Sequence, residues 1–401
     1  MKLKWKIKNL GDIADIKRGL ASQHLNYVEN ANQGVRLIRI NDFKSNSPKF
    51  ITNTEKTKKL TLRKSDILMA GTGATAGISY LVDDLWDGLP FSYNAPRIRV
   101  KNDNSSKFIY YVLNSEKIKN QQNKLFTGNA QPFLDTKAIA YFKIPLPPLP
   151  EQQKIADILS TVDDKIQVID QQIAETQQLK KGLMQRLLTK GIGHTKFKDS
   201  PLGKIPESWE VVQLNDLGNI VTGTTPKTSV PEYYDENGFL WASPSDLGKE
   251  KYILKTNKHL SQKGFEQTRE LPPYSIMVTC IGSTIGKIGM TSSKMSTNQQ
   301  INSLVCNDFN SGEFFYYYLE FLAPFIKKLA GTQAVPLLNK TDFSSIKVKQ
   351  PPLNEQKDIS KVLSALDEKL KLKQDKKKAF QELKKGLMQQ LLTGQLRVNI
   401  N

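Results

Sequence analysis

Residues 281–288 could bind a phosphate, since they read Ile-Gly-Ser-Thr-Ile-Gly-Lys-Ile. A nucleotide-hydrolysing loop of this kind needs four residues between its glycines and a Ser or Thr after the lysine to hold magnesium. Here three residues separate Gly282 from Gly286, and Ile288 follows the lysine. The corresponding residues of the first half, 71–77, contain no lysine. We therefore expect a tight turn between strands rather than a nucleotide site.

Two acidic segments could hold a catalytic metal. Residues 163–165 read Asp-Asp-Lys and residues 367–369 read Asp-Glu-Lys, which resembles the acidic-x-lysine fragment of metal-dependent nucleases. Both lie within a predicted helix, where charged pairs along an exposed face are the ordinary outcome. The sequence therefore favours a structural role for these carboxylates.

Residues 271–274, Leu-Pro-Pro-Tyr, are similar to the Pro-Pro-aromatic element of adenine methyltransferases. The residue before the prolines must accept a hydrogen bond in those enzymes, which leucine cannot do, and no glycine-rich motif for a methyl donor accompanies it. His24, His194 and His259 lack metal-ligand spacing. We predict a turn at 271–274, no metal site, no cofactor of its own and no catalytic residues.

The composition favours an anionic partner. The chain has 401 residues and a formal net charge of +19, which attracts a polyanion through its phosphates. A merely lysine-rich surface is the alternative. The two cysteines, Cys280 and Cys306, build no disulfide framework, so we expect a cytoplasmic protein. The sequence predicts no signal peptide and no membrane partner.

The positions of the elements follow from an internal duplication with an offset of 204 residues. Residues 147–149 and 351–353 both read Pro-Pro-Leu, and residues 179–185 and 383–389 both read Leu-Lys-Lys-Gly-Leu-Met-Gln. The same offset joins Trp5 to Trp209, Leu10 to Leu214, Asp12 to Asp216, Ile16 to Ile220 and Gly19 to Gly223. Two copies imply an internal pseudo-two-fold, which suits a ligand with its own two-fold, duplex DNA.

Each half begins with a mixed region and ends with a long helix. Short apolar runs at 35–40, 65–70 and 97–100 predict strands. Residues 107–113 and 313–319 predict short helices whose aromatic stripe favours core packing over base stacking. The fold class is therefore mixed α/β, with two similar globular domains.

Beyond the proline-rich residues 144–150, apolar side chains recur by fours and threes. This heptad pattern predicts two helices of some forty residues, about 60 Å each. Gly191 and Gly394 are the expected stops. The seam residues are Ile155, Leu159, Val162, Ile166 and Ile169 in the first helix and Ile359, Leu363, Leu366 and Leu370 in the second. If each long helix has the same relation to its own domain, the second helix returns the chain toward its start, and the two helices are antiparallel. An intermolecular coiled coil is the alternative.

The two halves differ in their loops. Gly73 and Gly77 correspond to Gly282 and Gly286 at an offset of 209, whereas Asn94 corresponds to Asn298 at 204. Two domains with one scaffold and different loops would read two different DNA sequences.

The duplicated Pro-Pro-Leu-x-Glu-Gln motif, the two helices ending in Leu-Lys-Lys-Gly-Leu-Met-Gln and residues 197–209 together resemble the specificity subunit of type I restriction-modification systems. The resemblance covers essentially the whole chain. It implies target recognition domains at 1–150 and 209–350, spacer helices at 151–190 and 351–394, a linker at 191–208 and a tail at 395–401. The short N-terminal lead departs from this pattern, because it has no counterpart of residues 197–206.

The resemblance also implies a non-catalytic reader of a bipartite, asymmetric double-stranded DNA target. Its partners would be two modification subunits, which bring S-adenosylmethionine for N6-adenine methylation, and restriction subunits, which use ATP and Mg²⁺. A basic coiled-coil scaffold that reads no DNA sequence is the alternative function.

The predicted DNA contacts are donors and acceptors at strand ends or in Gly- and Pro-bounded loops. They are Arg39, Asn41, Lys44, Thr72, Thr75, Asn94 and Gln131 in the first half, and Thr225, Lys227, Ser243, Ser245, Ser283, Lys287, Gln299 and Gln333 in the second. Lys180, Lys181, Lys384 and Lys385 could also face phosphate or a partner, or could belong to a solvated helix face.

Overall fold

A computed structural model describes residues 5–43, 47–126, 132–331 and 336–399. The chain forms two compact units, Met1–Gln171 with Asp375–Asn401 and Gln172–Gln374. Each unit therefore contains one half of each long helix. Lys44, Gln131 and Gln333, which the sequence proposed as DNA contacts, lie outside the described residues.

The first unit is a mixed α/β domain built on a four-stranded antiparallel sheet. The strand order is Ala14–Lys17, Arg97–Val100, Ile67–Met69 and Ser79–Leu81. The other strands are Lys6–Asn9, which pairs with Lys143–Leu146, and the three-stranded set Tyr27–Val28, Lys49–Ile51 and Val35–Leu37. Its shorter helices are Leu10–Ile13, Glu55–Lys59, Ser106–Leu113, Glu116–Phe126 and Thr136–Ala140.

The second unit has the same plan with a five-stranded sheet. The order is Gly218–Thr222, Ile301–Cys306, Ile276–Thr279, Ile288–Thr291 and Tyr252–Ile253. The remaining strands are Lys258–Leu260, Tyr234–Ala242 and Ser296–Thr297 in one sheet, Glu210–Gln213 with Lys347–Gln350, and Phe197–Lys198 with Ile205–Pro206. Its shorter helices are Gln262–Glu266, Gly312–Leu329 and Lys340–Ser344.

The strand register corrects one expected correspondence between the halves. Ile16 lies opposite Ile98 in the first unit, and Ile220 lies opposite Leu304 in the second. The first strand therefore keeps the offset of 204, whereas its partner strand is displaced by 206. The counterpart of Asn94 is consequently Gln300 rather than Asn298, and the counterpart of Tyr93 is Gln299.

The aromatic helices are core elements, as the sequence predicted, but the second one, Gly312–Leu329, has 18 residues and is not the short helix expected at 313–319. Each begins at a serine whose hydroxyl accepts a hydrogen bond from a backbone N–H three residues on, Ser105 from Phe108 and Ser311 from Phe314. The rings of Phe108, Phe314 and other stripe residues are buried in the core of their own unit. The preference for core packing over base stacking is confirmed.

The long helices are Leu149–Lys190, with 42 residues, and Leu353–Leu391, with 39. Gly191 directly follows the first helix with φ of 68°, the left-handed conformation that ends a helix. Gly394, with φ of 74°, lies three residues after the end of the second helix. Within the first unit Asp170 pairs with Lys377 and Asp163 with Lys384. Residue numbers thus fall along one helix as they rise along the other, so the predicted antiparallel pairing is confirmed.

Candidate nucleic-acid interface

In the first unit, residues 71–77 form the predicted tight turn between two strands. Gly73 and Gly77 have φ of 75° and 86°, values that glycine adopts without a steric penalty. The backbone N–H of Gly71 donates to the carbonyl of Asn94 at 2.8 Å, and its carbonyl accepts from the N–H of Leu134 at 2.8 Å. The turn, the segment at Asn94 and the segment at Leu134 are therefore joined into one loop frame, which brings Thr72 and Asn94 together.

The second unit repeats this loop frame. The N–H of Cys280 donates to the carbonyl of Gln300 at 2.8 Å, and its carbonyl accepts from the N–H of Leu338 at 2.8 Å. The frame places Ser283, which is exposed, and Lys287, which is half-buried, on one turn. A shared set of backbone hydrogen bonds thus holds different side chains in the two units.

Two further pairs of predicted contacts come together in the second unit. The hydroxyl of Thr225 donates to the side-chain carbonyl of the exposed Gln299. The hydroxyls of Ser243 and Ser245 lie 2.8 Å apart, and that of Ser243 donates to Asp246 at 2.7 Å. Lys227, which lies two residues after Thr225, is exposed. Each pair offers fixed donors and acceptors at the surface.

Arg39 uses part of its guanidinium within its own loop. Its Nη2 donates to the carbonyl of Ser47 at 2.8 Å, and its Nε donates to Asp42 at 3.4 Å. The carboxylate of Asp42 is buried and also accepts from the backbone N–H of Arg39 at 2.9 Å. Arg39 therefore holds its own loop. Asn41 and Thr75 remain at least partly exposed.

The acidic-x-lysine segments are structural. In the first unit Asp163 accepts from the hydroxyl of Tyr111 at 2.8 Å and pairs with Lys384 at 2.5 Å. In the second unit Asp367 accepts from Tyr317 at 2.7 Å and pairs with Lys180 at 2.7 Å. Both carboxylates are thus neutralised inside their own unit. Lys180 and Lys384 are accordingly not the free phosphate-facing cations that the sequence allowed.

The seam residues are largely buried. Ile155, Leu159, Val162 and Ile169 in the first long helix, and Ile359, Leu363 and Leu370 in the second, are buried, while Ile166 and Leu366 are half-buried. Ile155 and Leu159 lie in one core cluster with Leu10 and Leu391. The start of each helix therefore belongs to a domain core as well as to a helix pair.

The thiols are not poised for chemistry. Burial raises the pKa of Cys280 to about 11 and that of Cys306 to about 12, so both stay protonated at neutral pH. Within the described ranges, no group of three His, Cys, Asp or Glu side chains is placed to hold a metal ion. No helix in the same ranges is both long and apolar enough to cross a membrane.

Sequence reasoning missed what the glutamine of the Pro-Pro-Leu-x-Glu-Gln motif does. Gln152 accepts from the N–H of Ser105 at 2.9 Å and donates to the carbonyl of Pro147 at 2.9 Å. Gln356 makes the same bonds to Ser311 and Pro351, both at 2.8 Å. In each unit the glutamine fixes the long helix to the aromatic helix, and its duplication was the available signal.

The chain belongs to the family described as "Type I restriction modification DNA specificity domain", whose pattern it matches twice, at residues 2–178 and 206–382. It is 30% identical over 415 residues to the putative type I restriction enzyme MjaX specificity subunit of Methanocaldococcus jannaschii, covering 98% of this chain and 94% of that protein. It is 33% identical over 197 residues to the HindI specificity subunit of Haemophilus influenzae, covering 48% of this chain and 42% of that protein.

Two solved structures have the same fold. The type I restriction-modification S subunit from M. genitalium has a TM-score of 0.62 at 16% identity, covering 97% of this chain and 96% of that one. A chain from a structure of complex assembly and conformational transition of the type I system has a TM-score of 0.60 at 19% identity, covering 99% of both chains. The chain is a type I specificity subunit with two target recognition domains, the non-catalytic component of its system.

Proposed function

We propose that each unit reads one half of a bipartite, asymmetric sequence in double-stranded DNA. The observation that carries the proposal is the repeated loop frame, in which the same backbone hydrogen bonds present different side chains. Phosphate contacts position a protein on DNA, whereas side chains at the base edges determine which sequence it binds. The net charge of +19 supports attraction to phosphate.

In this proposal the target recognition domains span residues 1–150 and 209–350, and the spacer helices span 151–190 and 351–394. Residues 191–208 link the two halves, and residues 395–401 form the tail. The proposed contacts among the described residues are Asn41, Thr72, Thr75 and Asn94, and Thr225, Lys227, Ser243, Ser245, Ser283, Lys287 and Gln299. Arg39 stays among the proposed contacts, and Nε and Nη2 of its guanidinium also bond within its own loop.

The partners in the proposal are two modification subunits and the restriction subunits. The modification subunits would bring S-adenosylmethionine and methylate adenine at N6, and the restriction subunits would use ATP and Mg²⁺. The cytoplasmic location stays a prediction. Membership of the type I specificity family supports these assignments.

The test is to express the chain with its modification subunit and to map methylated adenines across a genome. We expect one bipartite motif. A variant with seven residues inserted in each long helix should keep both half-sites and enlarge the gap between them, because about 10 Å is added to each helix at 1.5 Å per residue.

A seven-residue insertion in the exposed turn at 199–203 is the matched control, and it should leave the motif unchanged. Methylation without a defined motif would support the alternative of a basic scaffold. A changed half-site with an unchanged gap would contradict the role of the helices.

A further inference from the structure

Three side chains of the first unit form an exposed cluster of one cation and two aromatic rings, which we name the Arg18 cluster: Arg18, Tyr93 and Phe133. The guanidinium carbon of Arg18 lies 4.2 Å from the ring centroid of Tyr93 and 5.1 Å from that of Phe133. Phe133 pairs with Thr72 in an isolated β-bridge. The cluster therefore lies on the loop frame that holds the predicted contacts Thr72 and Asn94.

Arg18 holds this arrangement through its terminal nitrogens. Nη1 donates to the carbonyl of Tyr93 at 3.3 Å, and Nη2 donates to the carbonyl of Leu134 at 3.5 Å. In the described part of the chain Arg18 has no ion pair with a carboxylate. Its charge is consequently not neutralised, and its two terminal nitrogens are not both free for the bidentate contact that arginine makes with guanine.

The two rings remain uncovered. Tyr93 is 42% exposed and Phe133 is 47% exposed, although the guanidinium and the loop frame hold both in place. Aromatic side chains that are fixed and half exposed next to an unneutralised cation present apolar edges to a negatively charged partner. Such edges suit the 5-methyl group of thymine, which the major groove exposes and which apolar side chains contact.

The second unit has none of this chemistry at the corresponding positions. By the strand register and the shared loop frame, the counterparts of Arg18, Tyr93 and Phe133 are Thr222, Gln299 and Leu337. Phe133 bridges to Thr72, and Leu337 bridges to Ile281 in the same way. The backbone is kept while the side chains change, which is what two readers of different sequences require.

We propose that the Arg18 cluster is a thymine-reading site, in which the edges of Phe133 and Tyr93 pack against the methyl group of one thymine in the half-site read by the first unit. Arg18 is a positioning residue that holds the two rings. This inference rests on the proposed function, since it concerns the same DNA contact.

The test uses the complex of this chain with its modification subunit and duplexes that carry the mapped target. Each thymine is replaced in turn by deoxyuridine, which removes only the methyl group. One replacement should weaken binding about fourfold, the fold-change that corresponds to about 0.8 kcal/mol for one buried carbon. The variant Tyr93→Gln/Phe133→Leu should reduce the difference in binding between the thymine and deoxyuridine duplexes, because it removes both rings and leaves one smaller apolar side chain at position 133.

This variant introduces the residues that the second unit already carries on the same loop frame, so we expect the first unit to fold normally. Leu337→Ala is the matched control in the second unit, and it should keep the discrimination by the first unit. Arg18→Lys keeps the charge but loses the two hydrogen bonds to backbone carbonyls. It should lower the discrimination while leaving the dependence of binding on salt unchanged.

The proposal is overturned if no thymine shows a methyl effect that the double variant reduces, or if the half-site contains no thymine. In either case sequence-selective binding of the unmodified duplex would still uphold the proposed function. Loss of all sequence selectivity in the unaltered complex would instead reject the proposed function itself.

Discussion

In each unit the glutamate of the Pro-Pro-Leu-x-Glu-Gln motif lies at the start of the long helix and accepts hydrogen bonds. The donors of these bonds differ between the two units. In the second unit Glu355 accepts from the indole N–H of Trp209 at 2.8 Å and from the N–H of Ile192 at 2.9 Å, and lies 2.8 Å from Nε2 of His194. In the first unit Glu151 is fully buried, and its oxygens accept from Nε and Nη2 of Arg397 at 2.5 and 2.7 Å.

His194 and Arg397 come from equivalent segments. His194 lies three residues after Gly191, and Arg397 lies three residues after Gly394; both glycines are left-handed. The chain after the second long helix thus performs in the first unit what the linker performs in the second. The duplicated glutamate therefore needs a donor in each unit, but the donor's identity can differ.

The largest expected effect follows from this difference. Arg397→Ala leaves the buried carboxylate of Glu151 without its cation, and we expect the first unit to lose about 3 kcal/mol of unfolding free energy. His194→Ala leaves Glu355 bonded to Trp209 and Ile192, so the second unit should lose about 1 kcal/mol. Pulse proteolysis in urea, with cleavage sites assigned to each unit, measures both. Arg397→Lys is the control and should lie between; equal losses for Arg397→Ala and His194→Ala would contradict the comparison.

The next largest effect is a difference between the units in their stability at alkaline pH. Burial raises the pKa of Cys280 to about 11 and those of Cys306 and Tyr318 to about 12, all in the second unit. Burial also raises the tyrosine pKa at positions 252, 316 and 317 there, and at 80, 110 and 111 in the first unit. The neutral forms are favoured in the folded state. Their stabilisation is therefore complete below the unfolded pKa values and is lost as the pH rises toward the folded ones.

We accordingly expect the second unit to lose stability from about pH 9, the ordinary thiol pKa, and the first unit only from about pH 10, the ordinary tyrosine pKa. The same proteolysis experiment over pH 8 to 11 follows both units. Replacing both cysteines by valine should move the onset in the second unit up toward that of the first. An earlier loss in the first unit would refute the expectation.

The smallest expected effect is the change in unfolding free energy when equivalent glycines are replaced by alanine. This change should be similar in the two units. Gly182 and Gly386 lie inside the long helices, and nothing is within 4 Å of a Cβ added at either. Replacing each by alanine should raise the unfolding free energy by about 0.5 to 1 kcal/mol, because alanine loses less backbone entropy in a helix. Gly19→Ala and Gly223→Ala are the contrasting pair. An added Cβ would lie 2.0 Å from the carbonyl oxygen of Phe91 and 2.1 Å from that of Asn298, so both should destabilise.

The sequence predicted local elements well where a periodic pattern marks them. The long helices, their glycine stops, the aromatic core helices and the turn at 71–77 follow from apolar spacing and from glycine at left-handed positions. The strand that contains Ile98 was misaligned with its counterpart by two residues. A shift of two keeps every side chain on the same face of a strand, so the alternation of apolar residues could not detect it.

The candidate site was only partly predictable. Thr72, Asn94 and Gln299 were proposed from loop composition, and the loop frame holds them at the surface. Arg18, Tyr93 and Phe133 were missed because they come from three separate segments. The role of Arg39 stays a prediction, and nothing in the sequence indicated its bonds to Asp42 and Ser47 within the loop.

By itself the sequence determined the duplication, the positions and lengths of the two long helices and their antiparallel course, because these depend on repeats and periodicity along the chain. Only the tertiary structure decided which side chains meet. The ion pair of Glu151 with Arg397 joins residues 246 positions apart, and the Arg18 cluster forms where a strand end, a turn and a bridge converge. Such contacts depend on how distant segments pack, and neighbouring residues in the sequence carry no record of that packing.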